Sequence, residues 1–413
     1  MTKHIIIVGG GQAGLQTIIS LRNNGFAGAI SLVCGEPYLP YQRPPLSKAY
    51  LSGQMARERL FLKPESFYTE QNITLYRQCE VSAIDTESKT ITHTKGTLDY
   101  DVLVLATGSR PRPYPLQPPA TQKKSAAQNI FSLRGIHDID AMKPYFDSKK
   151  NPLIIGGGYI GLEAAAVSAA SGAAPIVVEA APRLLARVAE PEISTFYQRL
   201  HTQNGARIIT DSTITALHTD TASGDITHIT LADGETLAAD FVIVGIGILP
   251  NIELAAAAGI ATDNGILVDE YGCTNTADIY AVGDCTYHPN PILGRSLRLE
   301  SVPNAIEQAK AVASHITLAP QPYAQVPWFW SDQYDIKLQI AGLPEVIDKK
   351  ILRGDDSTHS FAWFYFTGDK LSGVVAVNRA AEFMAARQIM QKGLAMDSAK
   401  IPDETCRPKE WLS

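Results

Sequence analysis

Two glycine clusters carry the most chemistry in this sequence. Gly9-Gly10-Gly11-Gln12-Ala13-Gly14 and Gly156-Gly157-Gly158-Tyr159-Ile160-Gly161 share the spacing G-x-G-x-x-G. In such a motif the first glycine (Gly9, Gly156) makes a tight turn. The second (Gly11, Gly158) lets a pyrophosphate reach the backbone, and the third (Gly14, Gly161) lets helix and strand pack closely. Free N–H groups and partial positive charge at the helix start attract the phosphates. One match is a weak signal, because glycine-rich turns also join strands to helices for steric reasons alone. Two matches, each between a strand and a helix, point to two dinucleotide sites in one chain.

Each cluster is followed by an acid where a ribose is held. Glu36 follows Cys34-Gly35, and Glu179 follows Val177-Val178. A carboxylate there accepts hydrogen bonds from ribose hydroxyls and repels a 2′-phosphate. Glu179 therefore inclines the second site to NADH over NADPH. Arg183 and Arg187 pull the other way, since arginine binds a 2′-phosphate. The plain alternative for Glu179 is a solvated surface acid.

The hydrophobic pattern supplies the elements that must hold these residues. Ile5-Ile6-Ile7-Val8 reads as a buried parallel strand, residues 13–22 as a helix and Ile30-Ser31-Leu32-Val33 as the next strand. Leu153-Ile154-Ile155, residues 161–171 and Ile176-Val177-Val178 repeat that order. The chain thus contains a diverged duplication of a β-α-β unit. Between the copies lie Val102-Leu103-Val104-Leu105-Ala106-Thr107-Gly108 and a proline-rich linker over residues 111–119. Phe241-Val242-Ile243-Val244-Gly245 and Ile279-Tyr280-Ala281-Val282-Gly283-Asp284 are expected to be strands returning to the first sheet. From about Tyr323 onward the character changes. Trp328, Phe329 and Trp330, then Trp363, Phe364, Tyr365 and Phe366, indicate antiparallel strands with aromatic packing.

Composition bounds the rest. A chain of 413 residues exceeds one ordinary core. Hydrophobic residues at 45% and charged residues at 19% are those of a soluble globular protein. A formal charge of −6 disfavours general nucleic-acid or membrane-surface binding. Cys34, Cys79, Cys273, Cys285 and Cys406 are odd in number and widely spaced, with no C-x-x-C pair. That argues against a disulfide framework and against a metal site. Met1-Thr2-Lys3-His4 leads straight into an apolar strand without a signal-peptide pattern, and no apolar run approaches bilayer length. A cytoplasmic location is expected.

Two dinucleotide sites, one nested inside the other, point to hydride transfer from a nicotinamide to a flavin. Asp284 ends a strand, and in two-dinucleotide flavoproteins such an aspartate holds the ribityl hydroxyls; a turn aspartate is the plain alternative. Ala106, Thr107 and Gly108 are expected to close over the flavin from the other side of the linker.

The segment Glu36-Pro37-Tyr38-Leu39-Pro40-Tyr41-Gln42-Arg43-Pro44-Pro45-Leu46-Ser47-Lys48-Ala49-Tyr50-Leu51 resembles the signature of FAD-dependent ferredoxin reductases of bacterial oxygenase systems. Residues 156–163, Glu300-Ser301-Val302-Pro303-Asn304-Ala305 and Val326-Pro327-Trp328-Phe329-Trp330-Ser331-Asp332-Gln333 resemble the same family, so the likeness spans nearly the whole chain. It implies an α/β fold: two Rossmann-like dinucleotide-binding domains of the glutathione reductase type plus a C-terminal α+β domain. The expected division is residues 1–112 with 243–322 for FAD, 113–242 for NADH, and 323–413 for the third domain. The implied cofactors are FAD and NADH. The implied reaction carries a hydride from NADH to FAD, then single electrons to a [2Fe-2S] ferredoxin that feeds a haem-thiolate monooxygenase or a Rieske oxygenase. A rubredoxin reductase and a non-catalytic NADH-sensing flavoprotein of the apoptosis-inducing-factor type share the fold and remain alternatives.

By the same resemblance, Ala13, Arg43, Lys48, Val81, Arg134, Asp284, Val302 and Trp330 line the FAD. Ile160, Glu163, Glu179, Arg187 and Gly247 line the NADH. The family usually has an acid at the position of Gly35 as well, so here the adenosine ribose is left to Glu36. A cation such as Lys48 near flavin N5 and the pyrimidine edge favours the anionic reduced flavin. Glu163 is expected to pair with Lys48 and adjust its charge. Without the surrounding motif, both would read as exposed surface charges. An aromatic-rich strand is more often packing than cofactor contact, and Trp330 is placed at the flavin by the resemblance alone. Thiol or peroxide reductases of this superfamily need a redox cysteine beside the flavin. Tyr41, Gln42 and Arg43 occupy that region here, and the cysteines read as small buried hydrophobes. Small ferredoxins are generally acidic, so a basic docking patch is expected from Lys310, Arg387 and Lys409, with ordinary solvated charges as the alternative. A monomer or weak dimer is expected.

Overall fold

The computed structural model describes residues 3–116 and 127–412. Residues 117–119 of the proline-rich linker lie outside the described residues.

The first sheet is five-stranded and parallel. Its order is Ile279–Ala281, Val102–Leu105, His4–Val8, Ala29–Val33 and Ile73–Tyr76. His4–Val8 sits at its centre because a strand covered on both faces needs an unbroken apolar run. Ile5, Ile6 and Ile7 are fully buried there. The helix Gln12–Asn23 covers one face and packs on the helix Val302–Ile316.

The second sheet repeats the architecture in the order Arg207–Ile209, Ile176–Val178, Pro152–Ile155, Phe241–Val244 and Ile130–Ser132. Its glycine turn leads into the helix Tyr159–Ala170. Here one expectation fails. Phe241–Val244 does not return to the first sheet: Ile243 is paired with Ile154, in the centre of the second. An apolar run reports burial on both faces, not which sheet provides the neighbours. Only Ile279–Ala281 returns to the first sheet, with Ile279 opposite Leu103. A division at 242/243 therefore cuts through a strand of the second sheet. The two chain crossings between the halves run side by side, Ser109–Pro111 pairing antiparallel with Ile248–Pro250.

The C-terminal sheet is antiparallel: Trp328–Gln333, Ile336–Gly342, Lys370–Val377, Ser360–Thr367 and Lys349–Asp355. Alternate residues along Ser360–Thr367 face opposite sides. Ala362, Phe364 and Phe366 pack with Phe383 of the helix Ala380–Lys392 and with Trp411. Phe361 and Tyr365 face the other way and join one core with Tyr41, Leu46, Ile154 and Phe196. The Phe361 and Phe196 rings meet at 5.1 Å. That shared core fixes the third domain against both dinucleotide units, with the segment 41–51 caught between them. Among the described residues no helix is long and apolar enough to cross a membrane.

Candidate functional site

Both glycine turns have the geometry a pyrophosphate requires. Gly9 has φ +120°, and a Cβ on it would lie 2.0 Å from the Ala106 carbonyl oxygen. Gly156 has φ +108°, and its Cβ would lie 2.4 Å from the Gly245 carbonyl oxygen. Cβ atoms on Gly14 and Gly161 would strike the carbonyl oxygens of Gly9 and Gly156 at 2.1 and 2.2 Å. The middle glycines differ: nothing stands within 4 Å of a Cβ on Gly11 or Gly158. Each is the N-cap of its helix, with no capping side chain and no acid in the first turn. A side chain would fill the space before the helix start, where a phosphate is attracted to the free N–H groups. The residues present therefore fit a dinucleotide at each turn.

The acid after each second strand is oriented by its surroundings. Glu36 receives Arg43 Nη2 and the Tyr41 hydroxyl, each at 2.6 Å, while Arg43 Nη1 donates to the Arg134 carbonyl at 2.7 Å. Gly35 is exposed, and its nearest neighbour is Glu80, just before Val81. In the second unit, Glu179 Oε2 accepts the Gly157 N–H at 2.6 Å and Oε1 accepts the Ala181 N–H at 2.7 Å. Arg183 donates to the carbonyls of Ala186 and Ala189 and to Ser194 Oγ. Arg187 instead reaches over Gly247, its guanidinium 3.4 Å from where a Cβ would be. Ile160 stands 38% exposed beside Gly158.

Asp284 occupies the turn Gly283–Cys285 after the returning strand. It accepts from Ser109 Oγ at 2.9 Å and lies 3.5 Å from Arg134 Nη2. Arg134 is half-buried, and its Nε has no partner among the described residues. Burial lowers its pKa, and the nearby Arg43 adds to this. Thr107 is held across the crossover by Asn251, its Oγ1 donating to the Asn251 carbonyl at 2.7 Å and its carbonyl accepting Asn251 Nδ2 at 2.8 Å. Gly283 packs so tightly on Ala13 that a Cβ would lie 3.0 Å from that methyl group. Val302 opens the helix Val302–Ile316 behind the Ser301 N-cap. Ala13, Ala106, Thr107, Gly108 and Asp284 thus lie in the turns and helix start that follow the first sheet's strands, and Arg134, beyond the second sheet's Ile130–Ser132, reaches Asp284 and Gly108. Asn251 and Ser109 join them without any warning from motif spacing.

Lys48 and Glu163 meet although 115 positions separate them in sequence. Pro44 and Pro45 fix the backbone of the short helical turn Pro44–Ser47, which directs Lys48 toward the helix Tyr159–Ala170. Lys48 Nζ lies 2.6 Å from Glu163 Oε2. Ser47 donates to the same oxygen, and Ser331 Oγ donates to Oε1 at 2.6 Å. Glu163 is 5% exposed, so the exposed-glutamate alternative is excluded. A carboxylate this deeply buried needs its charge paired and its oxygens hydrogen-bonded, and both conditions are met. Ser331 lies next to Trp330, which stands half-buried beside Trp328 with ring centroids 5.7 Å apart.

Of the docking candidates, Lys310 pairs with Glu307 at 2.7 Å, and Arg387 lies 5.0 Å above the Trp328 ring while feeling the Glu307 charge. Lys409 is exposed on the separate turn Pro408–Trp411. Cys34, Cys79 and Cys285 are buried, and all five cysteines are free thiols. No cluster of three metal-ligating side chains occurs among the described residues.

Residues 3–309 match the pyridine nucleotide-disulphide oxidoreductase family, and residues 328–412 match the reductase C-terminal family. The chain is 40% identical to putidaredoxin reductase of Pseudomonas putida over 411 residues, covering 99% of this chain and 97% of that protein. It is 39% identical to rhodocoxin reductase of Rhodococcus erythropolis over 400 residues, covering 97% and 92%. The fold superposes on the reductase in the covalent putidaredoxin reductase–putidaredoxin complex with a TM-score of 0.95 at 39% identity, covering 99% of this chain and 97% of that one. With two dinucleotide cradles, a Lys48–Glu163 pair between them and a matching third domain, the chain belongs to the pyridine nucleotide-disulphide oxidoreductase family, among its FAD- and NAD(H)-using ferredoxin reductases.

Proposed function

We propose that this chain carries reducing equivalents from NADH through FAD to a [2Fe-2S] ferredoxin serving a bacterial oxygenase. The observation that carries the reading is the pairing of half-buried Lys48 with buried Glu163, which joins the segment after the first cradle to the helix of the second. When bound, FAD would supply the exchange between two-electron acceptance from NADH and one-electron release to an iron–sulfur centre. The chain's own residues hold, orient and tune. Gly11 and Gly158 leave the two helix starts open to pyrophosphates. Glu36 and Glu179 would accept hydrogen bonds from ribose hydroxyls, and Arg187 with Gly247 would line the NADH. Asp284, Arg134 and Thr107 hold the flavin's ribityl and ring edge. Glu163 holds the Lys48 ammonium in place, and that cation would favour an anionic reduced flavin.

No thiol takes part: Cys285, beside Asp284, is fully buried, with its thiol against the Val282 carbonyl at 3.3 Å. Free thiols throughout fit a reducing cytoplasm. Lys310, paired with Glu307, and Arg387, held over the Trp328 ring, form the basic edge for an acidic ferredoxin, and Lys409 belongs to its periphery.

The test is NADH-driven cytochrome c reduction with and without purified ferredoxins. Turnover that depends on a [2Fe-2S] ferredoxin supports the reading. Turnover with rubredoxin alone overturns the choice of acceptor. A Lys48→Ala protein that keeps the wild-type rate of flavin reduction overturns the role of the pair.

A further inference from the structure

Behind the Lys48–Glu163 pair runs a row of buried polar side chains drawn from two further elements. Ser331 Oγ donates to Glu163 Oε1 at 2.6 Å, and Gln333 Nε2 donates to Ser331 Oγ at 3.1 Å. His201 Nε2 lies 2.8 Å from Gln333 Oε1, and the Tyr334 hydroxyl lies 3.2 Å from His201 Nδ1. Ser331, Gln333 and His201 are no more than 1% exposed, and Tyr334 is the half-buried end of the row. Ser331 and Gln333 share one face of the strand Trp328–Gln333, being two residues apart. His201 stands in the last turn of the helix Pro191–Gln203. Tyr334 adopts φ 56°, a left-handed conformation that costs a non-glycine residue and turns its side chain onto His201.

The carboxylate fixes the direction of every bond. An ionised Glu163 only accepts, so Ser331 must donate to it and accept from the Gln333 amide N–H. The Gln333 carbonyl then takes the proton of His201 Nε2, which leaves Nδ1 bare to accept the Tyr334 hydroxyl. All the donor dipoles point toward Glu163. Burial holds the His201 pKa down at about 4, so the ring is neutral, as an accepting Nδ1 requires. The other titratable groups facing the row are Tyr159 from the helix of Glu163 and Tyr197 from that of His201. Burial keeps both phenols protonated, and Asp332 adds one negative charge near Tyr197. The Gln333 amide does not pass protons by simple hops, so the row orients charge rather than conducting it.

We propose that Ser331, Gln333, His201 and Tyr334 are positioning residues that hold the Glu163 carboxylate hydrogen-bonded and turned toward Lys48. The C-terminal domain and the helix Pro191–Gln203 thereby fix where the Lys48 ammonium stands. This rests on the reading that the Lys48–Glu163 pair acts on the flavin.

Two readouts on the full-length holoprotein test it. Nitrogen NMR of His201 should show the Nε2–H tautomer alone. In Glu163→Gln the new amide can donate, the row can reverse, and the Nδ1–H tautomer should appear. Stopped-flow reduction of the flavin by NADH should show the acid limb of its pH profile up to about one pH unit higher in Gln333→Leu, because Ser331 loses the donor that polarises its hydroxyl toward Glu163. His201→Phe should behave similarly, whereas His201→Gln, which retains a donor to Gln333, should restore the wild-type profile. Should Gln333→Leu fail to fold, the His201 pair and the tautomer measurement still decide. An unchanged acid limb in Gln333→Leu or His201→Phe, or a tautomer unmoved by Glu163→Gln, overturns the proposal. Loss of rate on Lys48→Ala without those changes would spare the pair and sink only the row.

Discussion

The Glu179 carboxylate accepts the Gly157 N–H at 2.6 Å, which ties the ribose-side acid to the glycine turn of the second cradle. Arg183, one of the two arginines able to bind a 2′-phosphate, is committed to two carbonyls and a hydroxyl. Only Arg187 stays open to the cofactor, and it lies over Gly247. NADH should therefore be preferred. Glu179→Ala should lower kcat/KM for NADH by about 10- to 100-fold, the value of hydrogen bonds to a charged acceptor, and should hurt NADPH less. Because the substitution also frees the turn, the ratio of the two cofactors is the informative number. A wild-type kcat/KM for NADPH equal to that for NADH would sink the assignment.

Thiol chemistry should be dispensable. Burial pushes the Cys285 thiol up, and it pushes the Cys34 thiol up to about 12, with Glu36 adding to the effect. Thiolate is the nucleophile, so neither group is reactive near neutral pH. Cys285→Ala should keep ferredoxin turnover within about twofold of wild type and lose only some stability from the space it leaves. Abolished flavin reduction in this variant, with the cofactor still bound, would restore the thiol reading.

The parts of this protein legible in sequence are those governed by local steric rules. Gly9, Gly14, Gly156 and Gly161 stand where any Cβ would strike a carbonyl, so their spacing announces the cradles. Ile5-Ile6-Ile7-Val8 announces a central strand because no polar face interrupts it. What requires distant neighbours was not legible. Phe241–Val244 gives no sign of which sheet it joins until Pro152–Ile155 is seen beside it. Without the family motif Glu163 reads as an exposed helical acid; the resemblance supplies its pairing with Lys48, and the contacts from Ser47 and Ser331 that complete its burial were not legible. Glu179 faces the glycine turn directly after its strand, so its place was readable; the engagement of Arg183 was not.

Arg353 fastens the C-terminal tail. Its guanidinium donates to the carbonyls of Ile401, Asp403 and Cys406 at 2.8, 2.7 and 2.9 Å, and its Nε lies 3.2 Å from Glu382. The residue is buried at 3% exposure, so its removal leaves three carbonyls without this donor and Glu382 with Arg379 alone, 3.4 Å away. Arg353→Met should cost about 3 to 5 kcal/mol in urea unfolding and expose residues 401–412 to protease before the rest of the chain. An unfolding midpoint within error of wild type would show the clamp to be inert.

Ferredoxin turnover should respond to salt where flavin reduction by NADH does not. Lys310 pairs with Glu307, and Arg387 is held over the Trp328 ring. Exposed charges act over about 10 Å at 0.1 M salt, so added salt should raise the ferredoxin KM steeply. Arg387→Ala should raise it by about tenfold, since it removes both a charge and a cation held on tryptophan. Lys409→Ala should do less, because Lys409 lies on a separate turn. A ferredoxin KM indifferent to salt and to Arg387 would place the docking surface elsewhere.

Acid should weaken the fold through two histidines that are buried neutral. Burial lowers His201 and His288 from the ordinary value of 6.5 to about 4. His201 uses both ring nitrogens in the row behind Glu163. His288 has no partner for either nitrogen among the described residues and packs edge-on against Tyr323, ring centroids 4.9 Å apart. Below pH 6.5 the unfolded chain takes up protons that the folded chain refuses until about pH 4. Stability from these groups is therefore complete above 6.5, falls as pH drops through that window, and levels off below about 4. Each displacement is worth up to roughly 3 kcal/mol. His288→Phe keeps the aromatic contact and has no proton to bind, so its unfolding free energy should fall less steeply across the window. If the slope matches that of wild type, His288 is not refusing a proton in the folded state.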